Sequence, residues 1–170
     1  MPKVELEAAG PEKRMALRAL FQLYTHDFSE FWAGDDKGEL DEDGRFPDYP
    51  YLDSYWTDPR RIPFLIRVDG RLAGLLLVND HSHSGLPVDF AVAEFFVVRK
   101  HRREGVGRAA ARAALSGRPG LWELAVARKN VGALAFWRGI AAELADGAVE
   151  TLDTTDRWNG TILRFRVASA

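Results

Sequence analysis

The sequence predicts an α/β fold: a single domain over residues 1–170 whose core is a mixed, mostly antiparallel sheet flanked by helices. Three observations predict it. The chain has 170 residues, 46% hydrophobic and 28% charged, enough for one real core, and no linker or internal repeat divides it. Asp69-Gly70 joins two apolar runs, Ile62 to Val68 and Leu72 to Val78, and both residues of that dipeptide tolerate the positive φ of a tight hairpin. Beyond the hairpin, apolar strand-like runs alternate with helical ones to the end of the chain.

Taken in order, Lys3 to Glu7 alternates polar and apolar residues as a short strand does. Pro11 opens a helical pattern with Leu17, Leu20, Phe21, Tyr24, Phe28 and Phe31 at three- or four-residue spacing. Gly34 to Pro50 is rich in Asp, Gly and Pro and poor in aliphatic residues, which predicts a mobile loop or broken helix. After the hairpin, polar Asn79 to Pro87 leads into Val88 to Val98, apolar enough for a central strand buried on both faces. Val106 to Leu115 is alanine-rich and ends near Gly117 and Pro119, a helix with its stop signals. Leu121 to Val126 is another strand, and Asn130 is a good N-cap for a short helix over Val131 to Trp137. Thr161 to Val167 alternates Leu163, Phe165 and Val167 with Arg164 and Arg166, as a half-exposed last strand should.

The chain has no cysteine, so disulfides, thiolate zinc sites and a thiol-borne acyl intermediate are excluded. Met1-Pro2-Lys3-Val4-Glu5 has no charged-then-apolar signal pattern, and runs such as Leu75 to Val78 are far too short for a membrane span, so the cytoplasm is the expected location. A net charge of -2 argues against general nucleic-acid affinity but hides a segregation. His26 to Asp58 holds eleven carboxylates against Lys37 and Arg45, while Arg99 to Arg118 holds seven basic residues against Glu104. One stretch should attract cations and the other anions.

The basic stretch contains the informative unit, Glu94-Phe95-Phe96-Val97-Val98-Arg99-Lys100-His101-Arg102-Arg103-Glu104-Gly105-Val106-Gly107, an apolar strand joined to a helix through a basic turn with two glycines. Glycines let backbone N–H groups approach a pyrophosphate, and the helix start adds roughly half a unit of positive charge. A Walker loop is absent, because Arg108-Ala109 follows Gly107 where Lys-Ser/Thr is needed. Gly105-x-Gly107-x-x-Ala110 satisfies the letters of a dinucleotide fingerprint, yet six residues separate the strand from the first glycine, and Glu123 is misplaced for the ribose acid. His81-Ser82-His83 lacks a third metal ligand nearby, so no metal is expected, and Ser82 and Ser84 lack the strand-elbow context of a nucleophilic serine.

Arg102-x-x-Gly105-x-Gly107 after an apolar strand resembles the acetyl-CoA pyrophosphate loop of the GNAT superfamily of N-acetyltransferases. Asn130-x-x-Ala133-x-x-Phe136-Trp137, one strand on, is similar to the family's second motif, near the thiol end of CoA. The resemblance implies a GNAT-like sheet splayed between the fourth and fifth strands to admit acetyl-CoA, the co-substrate, with direct attack by an amine in a ternary complex. It places backbone N–H groups of Arg102, Arg103, Glu104, Gly105, Val106, Gly107 and Arg108 on the pyrophosphate, and backbone groups of Phe95 and Val97 on the pantetheine arm. Asn130 would meet pantetheine or cap its helix, and Phe136 and Trp137 would line the thiol end. Trp137 departs from the family, many of whose members carry there a tyrosine that protonates the leaving thiolate; Tyr24, Tyr49, Tyr51, Tyr55 or water would have to serve instead.

On the acceptor side an ammonium must lose a proton before attack, and Glu94, an acid inside an apolar strand, is the expected base; the alternative is an acid solvated or paired at a sheet opening. Ten of the nineteen aromatics lie between Phe21 and Trp56, beside the acidic block, which fits a cationic, partly apolar acceptor, although core packing accounts for most of the helical ones. His26, Asp27 and Tyr55 are the expected acceptor contacts. The expected partners are a small-molecule or peptide amine and, for an oligomer, a second copy as a homodimer. The competing classes are a noncatalytic acyl-CoA-binding module and a protein-interaction domain using the acidic loop.

Overall fold

The computed structural model describes residues 1–170. Strand β1 (Val4–Ala8) leads through a short 3-10 turn begun by Pro11 into helix α1 (Arg14–Phe28). An irregular segment follows, broken by 3-10 turns at Ser29–Trp32 and Leu52–Trp56. Then come β2 (Ile62–Val68), β3 (Arg71–Asn79), β4 (Phe90–Val97), α2 (Val106–Ser116), β5 (Gly120–Ala127), α3 (Val131–Leu144), β6 (Glu150–Thr154) and β7 (Gly160–Val167). The seven strands lie in the order β1-β2-β3-β4-β5-β7-β6, and every pair is antiparallel except β4 with β5. This is the α/β architecture expected. Asp69 and Gly70 both take positive φ, 49° and 76°, so the β2–β3 hairpin turns where the dipeptide predicts.

Two apolar cores sandwich the sheet. Leu76, Val78 and Val97 pack on one face with Ala110, Ala114 and Leu115 of α2 and Trp137 and Ile140 of α3. Leu65, Leu75, Leu77 and Phe96 pack on the other with Leu17, Leu20 and Phe21 of α1 and with Leu52 and Tyr55. Each such fully buried side chain contributes roughly 1.5–3 kcal/mol. No helix is long and apolar enough to cross a membrane.

Two elements depart from expectation. Helix α3 runs to Leu144 rather than stopping at Trp137, because Ile140 and Ala141 continue its buried stripe and Gly139 sits on the open side. Strand β6 was not foreseen: it is an edge strand whose only aliphatic residue is Leu152, so no apolar period announces it.

The sheet splits where β4 meets β5. Only Phe90 with Trp122 and Ala91 with Glu123 pair across that seam. A bulge in β4 accompanies the split: Val92 faces Val78 and Glu94 faces Leu77, which leaves Ala93 as an extra residue. The bulge turns Ala93 and Glu94 to the α1 face, whereas Val92 and Phe95 face α2 and α3.

Candidate active site

Beyond β4, Arg99–His101 form a single 3-10 turn, and Arg103 and Gly105 take the left-handed conformation, with φ of 63° and 76°. Gly105 stands at the N-cap of α2, where no side chain caps the helix. The N–H groups of the first turn therefore stay free for an anion, in a positive end-field. Helix α3 is the contrast, since Oδ1 of Asn130 accepts from the Ala133 N–H at 3.2 Å and closes that terminus. Asn130 thus takes the capping role of the two foreseen for it.

The basic side chains around the turn divide. Arg102 folds back, donating Nε to the Val97 carbonyl at 2.7 Å, lying 5.5 Å from the Phe96 ring centre and pairing with Asp27. Arg108, largely exposed, pairs with Glu143 alongside Arg112. Arg103 and Glu104 are exposed beside the glycine, and Val106 is buried.

The glycines serve different ends. A side chain at Gly105 would meet nothing within 4 Å but would strain the left-handed backbone. A Cβ at Gly107 would lie 3.3 Å from the ring of Phe95 and 3.6 Å from that of Phe136. The open space expected at both positions for phosphate is therefore present only at Gly105. Phe95 stacks on Phe136 at 5.5 Å, and Trp137, 7% exposed, meets both edge-on. We expect Gly105→Glu to lower affinity for CoA at least tenfold, through crowding and like charge, while Gly107→Glu also lowers the melting temperature by disturbing that aromatic contact. Titration calorimetry and thermal melts on both variants check this; wild-type affinity in a folded Gly105→Glu protein would reduce the glycine to a turn-former.

Glu94 stands on the opposite face of the split. It is half-buried, and burial of its carboxyl raises its pKa to about 7 against the opposing pull of the Tyr24 hydroxyl directed at it. The Tyr24 ring stacks on Phe96 at 5.4 Å, and burial first, then the Glu94 charge, pushes the phenol well above its ordinary range. Tyr49, held by a 4.4 Å stack on Phe21, and Tyr55, 3% exposed, complete the wall, both raised chiefly by burial. Tyr24, Tyr49 and Tyr55, three of the four tyrosines named as possible substitutes for the missing phenol, thus gather on the Glu94 side.

The segment covering this wall is pinned rather than loose. Gln22 exchanges two 2.9 Å hydrogen bonds with the backbone of Phe46, and Arg18 holds Asp48 at 2.9 Å. The mobile loop expected from its composition is thus attached through side chains of α1. His26 is exposed, its ring 6.4 Å from that of Phe46. Asp27, expected to meet the acceptor, is instead taken by arginines: Arg99 donates at 2.8 and 2.9 Å, and Arg102 closes the same carboxylate. Burial opposes its ionisation, but those two arginines outweigh it and hold the carboxyl below its usual range. Its role is to brace α1 against the basic turn. A recess of about 300 Å³ opens between α1 and residues 48–53, but the ion pairs Arg14–Asp53 and Arg18–Asp48 already satisfy its charged lining.

Glu123, weighed above as a ribose-binding acid, is buried under the β3–β4 loop. It accepts from the N–H groups of His83 (2.6 Å) and Ser84 (3.1 Å), both serine hydroxyls, and Nη1 of Arg164 at 2.6 Å. Ser82 and Ser84 are thereby committed to holding a loop.

The acetyltransferase (GNAT) family model matches residues 17–142, and the chain belongs to that family. No curated protein sequence matches it at a comparable level. Among solved structures, an acetyltransferase from Thermus thermophilus is similar at 19% identity and a TM-score of 0.60, with 96% of each chain covered. PaiA N-acetyltransferase from Thermoplasma acidophilum, in complex with coenzyme A, is similar at 12% identity and 0.57, covering 96% of this chain and 99% of that one. The ribosomal-protein-S18-alanine N-acetyltransferase from Escherichia coli aligns at 12% identity and 0.58, covering 99% and 96%. These likenesses are of fold.

Proposed function

We propose that the protein transfers an acetyl group from acetyl-CoA to a primary amine by direct attack in a ternary complex. The observation carrying this reading is the pairing, across one split in the sheet, of an uncapped glycine-led helix start with a carboxyl whose pKa is about 7. The ammonium first passes a proton to Glu94, the freed amine nitrogen bonds to the thioester carbon, the C–S bond breaks, and the remaining excess N–H proton leaves to water or to the departing thiolate. A thiolate whose conjugate acid has a pKa of about 8.5 leaves without a phenol at position 137. A CoA-bound neighbour and neighbours named for amine acceptors support the reading.

Trp137 favours a second reading, a noncatalytic acyl-CoA-binding module, since indole cannot return a proton to the thiolate. One experiment separates the two. At 100 times its dissociation constant acetyl-CoA should raise the melting temperature by about 5–10 °C, and an amine panel should then release CoA thiol. A melting shift without thiol release from any amine selects the binding module, and no shift at millimolar acetyl-CoA removes both.

A further inference from the structure

Four carboxylates of the acidic block that suggested a cationic acceptor are already held by arginines. Asp27 is held by Arg99 and Arg102, Asp48 by Arg18, Asp53 by Arg14 and Asp58 by Arg60. One cation near the tyrosine wall is held more loosely, by an ion pair without a hydrogen bond. Arg61 is only 25% exposed at its side chain, yet its guanidinium makes no hydrogen bond of normal geometry. Its ion-pair partner, Asp58, stands 3.7 Å from Nε and already receives two bonds of 3.0 and 3.1 Å from Arg60. The Arg61 guanidinium lies 5.6 Å from the Tyr55 ring centre, and the buried Tyr55 hydroxyl has Tyr49 and Arg61 as neighbours but no hydrogen bond of normal geometry. A buried hydroxyl left unpaired costs about 1–3 kcal/mol, so natural folds seldom keep one without a use.

Register relates this pair to the base. Pro63, Leu77 and Glu94 form one cross-strand row over β2, β3 and β4, on the α1 face. Two strand spacings separate Pro63 from Glu94, about 10 Å between backbones. Arg61 stands just before β2, two residues ahead of Pro63. Tyr55, beside the Arg61 guanidinium, belongs to the same buried cluster on that face as Leu77 and Phe96, with Tyr49 packed against it.

The geometry points to an acceptor that carries an anionic oxygen group, carboxylate or phosphate, at the end away from its amine: Arg61 and Tyr55 bind the anion while the amine meets Glu94. This deepens the proposed function and rests on Glu94 receiving the amine.

The test measures thiol release at saturating acetyl-CoA with ω-amino acids from glycine to 6-aminohexanoate, each beside the alkylamine of equal length, plus the matching aminoalkyl phosphates and spermidine. At the best-fitting length the anionic acceptor should exceed its alkylamine in kcat/KM by about 10- to 100-fold, the weight of a charge-assisted hydrogen bond. The phosphate arm tells which anion is preferred. Arg61→Gln should erase that ratio through KM and leave the alkylamine rate within about twofold. Tyr55→Phe should keep or raise the melting temperature, since it removes the unpaired hydroxyl, and still lower the ratio. Spermidine or a plain alkylamine matching the best anionic acceptor would overturn the inference while leaving the proposed function standing, as would Arg61→Gln slowing both acceptors equally. No thiol release from any amine would remove the proposed function and this inference with it.

Discussion

Glu94→Gln is expected to lower turnover about 10²- to 10⁴-fold at neutral pH while acetyl-CoA affinity holds, the usual loss on removing a general base. The wild-type rate should rise with pH through about 7, as the Glu94 carboxyl ionises. The deficit of the variant should shrink towards the pKa of the acceptor amine, near 10.4 for a lysine-like group, where the nucleophile needs no base. The same substitution should act on stability with a definite sign. Burial raises the folded pKa from 4.5 to about 7, so between those values the folded protein binds a proton that the unfolded chain has released. Stability therefore falls as pH rises through that window, and the full penalty, on the order of 3 kcal/mol as an upper figure, persists above it. Glu94→Gln escapes the penalty and should melt higher than wild type at pH 8 but alongside it at pH 4. Rates across pH at saturating acetyl-CoA, with paired melts, measure both. Unchanged turnover would remove Glu94 as the base, and a lower melting temperature at pH 8 would show that its charge is welcomed by the fold.

Arg164→Met should unfold more easily by about 3–5 kcal/mol, because it leaves Glu123 ionised and uncompensated in the interior. Side-chain exposures of 6% and 0% place this pair beyond solvent screening. Burial works against the Glu123 charge, but Ser84, His83 and Arg164 outweigh it and lower the pKa, so the stabilisation is present above the ordinary carboxylate range and is lost as pH falls through the depressed value. Arg164 also donates to the Pro87 carbonyl at 2.7 Å, so its loss releases the β3–β4 loop there as well. Glu123→Gln combined with Arg164→Met should recover much of the deficit, since no buried charge remains. Urea denaturation at pH 7 decides: a single variant within about 1 kcal/mol of wild type would mean that water replaces the guanidinium without penalty.

The glycine-led helix start proposed to meet CoA was legible because its geometry is local. Glycine spacing, the strand before it and the helix after it all lie within fourteen consecutive residues, Glu94 to Gly107, and the structure adds only that Gly107 faces rings rather than open space. The acceptor half depends on distant pairings. Asp27 reads as a polar interruption of an aromatic helix face, and nothing in sequence announces that Arg99 and Arg102 will claim it. Arg61 reads as a charge before a strand; only the row Pro63, Leu77, Glu94 relates the start of that strand to the base. Strand β6 escaped because an edge strand facing water needs no apolar alternation.

The segment from Ala33 to Tyr51 holds no strand and takes no part in the sheet's backbone ladder, being fastened by the Gln22, Arg18 and Phe21 side chains to α1. Residues inserted or deleted there shift no cross-strand register. The length of the loop over the tyrosine wall is accordingly a free variable of this fold, adjustable by exchange between chains while the glycine-led start of α2 keeps its geometry.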